Sequence, residues 1–286
     1  MSDITVINDS QQSDLVTNGL AKNGELYLKA SGSTNAGAIV VYDNGSWRTF
    51  ANEASAGAWN GNTYSLSLDG TDDYVALGNS SDLAPSSITI SAWIKVSGSV
   101  DTFNYIVSRA GSTYGSYHLR YTNANKFNVH LGFASSQFKN DITSSSTYTL
   151  TDWHHVAFTY DQTNVKLYVD GVEEFSAAET RAIDYTAGSD GTDTHIGQAG
   201  GTLGYPSPSE GLIDEVAIFN SALSGANISS IYNSGTPDDL SSYSPVGWWR
   251  MGDNDGGTGT TITDQGSGGN DGTLTNGPTF STTVPS

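Results

Sequence analysis

Hydrolysis of a glycosidic bond needs two carboxyl groups, about 5–5.5 Å apart for retention or about 6.5–9.5 Å apart for inversion. The nearest acid pairs in this sequence are Asp214-Glu215 and Glu173-Glu174. Neighbours on a strand point to opposite faces, so neither pair makes a two-carboxyl site. The same geometry separates the rings of His154 and His155, which cannot chelate one ion as strand neighbours. There is no cysteine, which excludes disulfide scaffolds, thiolate zinc sites and cysteine nucleophiles. No Ser/His/Asp motif or phosphate loop occurs, and Gly256-Gly257-Thr258-Gly259 lacks both a Lys and a strand–helix context. Binding chemistry remains. His118 and His130, with Arg120 and Asn128, alternate with Tyr117, Leu119, Val129 and Leu131, so they can line a polar sheet face or simply a solvated one. Sugar recognition uses aromatic rings stacked on apolar sugar faces. Trp59, Tyr105, Tyr114 and Tyr205 are the loop candidates, and Pro206 and Pro208 stiffen the loop that presents Tyr205. Filling of strand-end gaps or contacts within a trimer is the alternative use of these rings.

The elements that must hold these residues follow from a period of two. In Ser87–Val96, Ile88, Ile90, Ala92, Ile94 and Val96 share one face, and Thr89, Ser91, Trp93 and Lys95 the other. Tyr117–Tyr121, Phe127–Phe133, Val165–Val169 and Leu212–Phe219 alternate likewise, and in Trp153–Tyr160 the inward set is Val156, Phe158 and Tyr160. Asp170-Gly171 and Asp43-Asn44-Gly45 are hairpin turns, because such turns need positive φ. One helix is expected over Gly225–Asn233, capped by Ser224, stopped by Gly235 and lying as a lid on the sandwich edge. Many strands and one helix predict an all-β, antiparallel two-sheet sandwich of jelly-roll type, preceded by a small β-hairpin appendage.

The chain has 286 residues, 30 Asp and Glu against 11 Lys and Arg, and a net charge of −19. That surface repels phosphate backbones and anionic lipid, so nucleic-acid and membrane partners are not expected. Six Trp and 15 Tyr argue for a packed fold rather than a disordered acidic chain. No run approaches the ~18 apolar residues of a membrane helix. The N-terminus, MSDITVINDSQQSD, has neither a basic nor an apolar leader region, so no signal peptide is expected. Residues 1–56 hold short strand-like pieces with too few apolar side chains for a core of their own. They read as an attachment or oligomerisation appendage, with a trimer the expected oligomer. Residues 57–286 form the main domain. Within it, 246–286 is rich in polar turns yet carries Trp248-Trp249, a pair too costly to leave in a solvated tail.

The segments SLDGTDDYV (67–75), ITISAWIK (88–95), WHHVAFTYD (153–161), VKLYVDG (165–171) and GLIDEVAIFN (211–220), with Ala222–Gly235, occur in one order. In this they resemble the laminin-G-like, concanavalin-A-like lectin/glucanase jelly roll. The tail GWWRMGDN…NDGTLTNG also resembles that family, where it usually precedes the LDGxDDYV strand. The departure implies either a circular permutation, with the tail folding back beside residues 57–70, or the start of a second unit. The resemblance implies a structural Ca2+ held by the matching acids Asp69, Asp214 and Glu215, of which the two strand neighbours should not both face Asp69. Backbone capping by the same acids is the competing use. Asp253, Asp255 and Asp264 form a weaker second cluster. The alternating acid motif of the fold's glucanases is missing, so no catalytic residue is assigned.

Ala38–Glu53 resembles short hairpin modules of bacteriophage virion proteins. That resemblance implies a non-enzymatic protein at the virion surface, either capsid decoration or tail fibre. Its partners would be capsid or tail proteins, further copies of itself and a host surface glycan. A secreted or surface carbohydrate-binding module is the alternative, and a glucanase-like hydrolase is the third.

Overall fold

The computed structural model describes residues 61–96, 103–110, 115–149, 151–186, 193–199 and 208–286 with their side chains, and the backbone of four strands before them. The chain divides into two compact units, Met1–Asn60 and Gly61–Ser286. In the first, β1 (Thr5–Ile7), β2 (Leu26–Lys29), β3 (Ile39–Asp43) and β4 (Ser46–Ala51) form one sheet in that order. The β1–β2 pair is parallel and the other two are antiparallel. Pairing of Tyr42 with Trp47 and of Asp43 with Ser46 brackets the turn expected at Asn44-Gly45.

The second unit runs β5 (Ser65–Asp69), β6 (Tyr74–Gly78), β7 (Ile88–Val96), β8 (Phe103–Arg109), β9 (Tyr117–Thr122), β10 (Lys126–Phe133) and β11 (Gln137–Thr143). It continues with β12 (His154–Tyr160), β13 (Asn164–Val169), β14 (Val172–Ala178), β15 (Thr194–Ile196), β16 (Glu210–Phe219) and helix α1 (Gly225–Tyr232). It closes with β17 (Gly247–Trp249), β18 (Thr261–Ile262), β19 (Gly272–Thr275) and β20 (Thr279–Ser281). One sheet has the order β11-β10-β9-β8-β15-β6-β19-β18, and the other β14-β13-β12-β7-β16-β5-β20 with β17 also on β16. This is the two-sheet antiparallel sandwich that the period-two runs predict.

The core lies between the sheets and is filled by the expected alternating faces. Ile88, Ile90, Ala92, Ile94 and Val96 of β7 and Val156, Phe158 and Tyr160 of β12 meet Tyr117, Leu119 and Tyr121 of β9 and Phe127, Val129 and Leu131 of β10. Each large apolar side chain buried in this way contributes roughly 1.5–3 kcal/mol. At Asp170-Gly171 both residues have positive φ, 50° and 76°, as the β13–β14 hairpin requires.

Residues 246–286 supply strands to both sheets. β17 lies on β16 and β20 on β5, while the β18–β19 hairpin joins β6 in the opposite sheet. Trp249 is fully buried, and its Nε1 donates to Asn270 O at 2.8 Å. A Cβ on Gly247 would stand 2.3 Å from the Trp249 ring, so the glycine gives the indole its space.

Helix α1 starts at Ser224, whose Oγ accepts from Asn227 N. Two expectations about it are corrected. Asn233, left-handed at φ 46°, ends it before Gly235 is reached. The helix also lies over an outer sheet face rather than at an edge, because Ile228 packs on Ala157 and Tyr168, the outward residues of β12 and β13.

Candidate functional site

Two groups of polar side chains lie on the outer faces of the sandwich. The first is on the β8–β11 half of its sheet. Cross-strand register places His118 opposite both Ser108 and His130, and Arg120 opposite both Tyr105 and Asn128, all away from the core. The rings form a continuous series across four strands. Phe138 stacks on His130 at 5.5 Å, His130 on His118 at 4.8 Å, and Tyr105 meets His118 edge-on at 5.1 Å. The Arg120 guanidinium lies 3.8 Å over the Phe103 ring, and its Nε donates to Asn128 Oδ1 at 2.8 Å. Asn128 in turn donates through Nδ2 to Asn140 O and Thr143 Oγ1, which fixes its carbonyl toward the arginine.

Most of this face is buried, with His118 at 2 % and Arg120 at 6 % exposure, whereas Phe138 is 41 % exposed and marks an open edge. Burial, helped by the charges of His130 and Arg120, holds the His118 imidazole neutral. Both ring nitrogens of His118 lack hydrogen-bond partners. The segment after β15 is tied to the same face: Ser108 Oγ donates to Gln198 O and Ser209 Oγ to Tyr105 O, each at 2.7 Å.

The second group collects acids where the tail joins β16. A bulge between Asp214 and Ala217 puts Glu215 at φ 45°, which brings both adjacent carboxyl groups into one cluster. The expectation that the two acids diverge as strand neighbours is thereby corrected, since the extra residue breaks the alternation. Glu215 accepts from Trp248 Nε1 at 2.6 Å and Arg250 Nε at 3.0 Å. Asp214 accepts from Asn62 Nδ2 at 2.8 Å and from the Glu215 amide. Asp253 accepts from the Thr63 and Tyr64 amides and from Arg250 Nη2. Burial raises all three acids. Asp214 moves furthest, with the charge of Glu215 adding to the effect, and Glu215 is pushed up to about 7 against the pull of Arg250 and Trp248. The cluster is enclosed, with Asp214 and Glu215 at 0 and 2 % exposure, and each carboxylate is spent on protein donors. It braces β5, β16 and β17 and has no access for a substrate.

Residues 69–229, more than half of the chain, match the profile of the concanavalin A-like lectin/glucanases superfamily. The chain belongs to that superfamily. Its fold is similar to that of a candidate carbohydrate binding protein from Bacteroides ovatus, with a TM-score of 0.56 and 21% identity over 92% of this chain and 71% of that one. It is also similar to a heptameric SAP-like pentraxin from Limulus polyphemus (TM-score 0.47, 18% identity, 59% of this chain and 82% of that one). A third similar structure is the Ruminococcus gnavus IT-sialidase CBM40 bound to alpha2,3 sialyllactose (TM-score 0.48, 15% identity, 58% and 96%). No curated protein matches the sequence.

The calcium set implied by the superfamily resemblance does not come together. Asp69 pairs with Glu210, so Asp214 lies four residues further along β16, about 13 Å away. Asp69 instead meets Asp72 and Asp73, with one carboxylate oxygen from each within 4.8 Å of the others. In this turn Asp69 Oδ1 accepts from Thr71 N and Asp73 Oδ2 from Asp69 N, the capping use of the acids. Burial, with the charges of Asp69 and Asp72, raises Asp73 despite the donation from Asp69 N. The weaker tail cluster also separates: Asp264 caps Trp248 N, Gly266 N and Asn270 N, and Asp255 binds Thr263.

Among the sugar-binding candidates, Tyr105 is on strand β8 at 5 % exposure rather than on a loop, because it pairs in register with Arg120. Trp59, Tyr114 and Tyr205 lie outside the described residues. The structure adds Phe103 and Phe138, which alternation along β8 and β11 could have supplied. His154 donates through Nδ1 to Asp170 at 2.7 Å, and His155 is buried against Ser91 Oγ at 2.8 Å. Both are structural histidines, as their divergence predicts.

Proposed function

We propose that this chain is a non-enzymatic carbohydrate-binding protein of a bacteriophage particle surface. Its jelly roll meets host glycan through the outer face of β8–β11, and residues 1–56 attach it to capsid or tail proteins. The observation that carries the binding reading is the exposed Phe138 ring, backed by the buried series His130, His118 and Tyr105 with Arg120 and Asn128 beside it. Planar rings with oriented amide and guanidinium groups are what saccharide recognition uses. The similar fold of the Bacteroides ovatus protein, described as a candidate carbohydrate binder, supports the same reading. Strands β8, β9 and β10 contain no Asp or Glu and β11 holds Asp141 alone, so these strands offer no carboxyl pair for hydrolysis. The virion placement draws on the hairpin resemblance of Ala38–Glu53 and on the separate sheet of the first unit. That architecture suits capsid decoration and tail fibre alike.

The calcium expectation named Asp69, Asp214 and Glu215; we propose instead Asp69 with Asp72 and Asp73, two acids that the sequence reads as turn residues. A largely exposed site of this kind belongs to the weak class, about 10⁻⁴–10⁻³ M. A higher melting temperature in millimolar calcium than in EDTA, lost in Asp73→Asn, would place the ion there, and identical melts would remove it.

A glycan array probed with the full chain tests the main reading. Binding to a defined subset of glycans is expected. Phe138→Ala should weaken it roughly fivefold, the worth of one stacking contact of about 1 kcal/mol. Failure to bind any glycan would overturn it, and fixed-stoichiometry capture by a non-virion enzyme would favour the secreted-module alternative.

A further inference from the structure

Arg120 is a buried cation without an anion. No described carboxylate pairs with it, whereas Arg181 holds one and Arg250 two; the buried Arg109, also without a carboxylate, donates to Thr194 Oγ1 and Asn79 O. Its one side-chain hydrogen bond of good geometry goes to a neutral amide, Asn128 Oδ1, and its other polar neighbour is the Tyr105 hydroxyl. Buried guanidinium groups are normally paired, because the lost hydration is repaid only by an opposing charge. The guanidinium carbon lies 3.8 and 5.8 Å from the Phe103 and Tyr105 ring centroids, and the Asn128 bond fixes its Nε edge. A planar fork held in this way, facing no protein anion, fits a carboxylate.

We propose that the outer face of β8–β11 selects acidic saccharides, with Arg120 receiving the sugar's carboxylate. This rests on the carbohydrate-binding reading above and names its ligand class. Steering does not supply the preference, since a chain of net charge −19 repels anions at long range. The selectivity has to arise at contact range, and it is assigned to Arg120 because Lys126 is bonded to Ser144 O and Ser145 O and Lys139 is paired with Asp141.

Calorimetry on the full chain decides the matter with three probes: oligosaccharides ending in glucuronic acid, the same oligosaccharides ending in glucose, and sodium sulfate alone. The acidic series should bind at least about tenfold tighter than the neutral one. Arg120→Met should erase that margin while the melting temperature stays level or rises, because an unpaired buried charge is replaced by an apolar chain of similar length. Should Arg120→Met fail to fold, Arg120→Lys keeps the charge without the planar fork and should cut the margin several-fold. An unchanged margin in either folded variant overturns the proposal. Sulfate binding as tightly as the acidic sugar overturns it in favour of a simple anion site. Equal binding of acidic and neutral sugars, or binding of neither while the array shows other glycans bound, overturns it but leaves the carbohydrate reading standing, whereas no binding here or on the array removes both.

Discussion

Glu215 sits in a left-handed conformation inside the β16 bulge and shares an enclosed space with Asp214, Asp253 and Arg250. Three carboxyl groups facing one guanidinium leave excess negative charge, which protonation relieves. With its folded value raised from 4.5 to about 7 by burial, Glu215 binds more protons in the native state than in the unfolded one. Its stabilising contribution is therefore full below pH 4.5, declines between pH 4.5 and 7, and is lost above. The urea midpoint should rise when pH falls from 8 to 5, by on the order of 1–3 kcal/mol in stability, and Glu215→Gln should flatten that rise. Equal slopes in the two proteins would contradict this view of the cluster. The acids were readable as a chemical group, but their meeting was not. It depends on one extra residue in a strand and on Arg250 arriving from a segment 35 positions later. The divergence of His154 and His155, by contrast, needed only strand geometry.

At the scale of elements, period-two patterning carries most of the sandwich, because one face of each strand is buried against the other sheet. The faces of β7, β9, β10 and β12 were legible residue by residue. Cross-strand order was not, since pairing of β15 between β6 and β8 follows from long-range packing rather than local pattern. The position of α1 was misread for the same reason: its small apolar side suits an edge or a face, and Ala157 and Tyr168 decide between them. The tail contributes Trp249, Met251 and Ile262 to the common core. Trp249→Ala should cost about 3–5 kcal/mol, and a chain ending before Val246 should lose its cooperative melt. A truncated chain that melts like the full one would make the tail strands dispensable.

For the whole molecule, the first unit is a separate four-stranded sheet within Met1–Asn60, a size at which stability alone is marginal. If residues 1–56 assemble the particle partner or further copies, the full chain should have an oligomeric native mass, and a chain lacking them should be monomeric with the same jelly-roll melt. Two monomers would contradict the assembly role. Within the described residues no helix is long and apolar enough to cross a membrane.

The central claim is that ligand meets the outer face of β8–β11. Titration of isotope-labelled full chain with an array-selected glycan, followed by NMR, tests it directly. The account predicts that the Arg120 Nε–H, the His118 ring and the Phe138 ring shift together and saturate with one affinity. Saturating shifts confined to the Asp69–Asp73 turn or the tail strands, with these three unmoved, would contradict it.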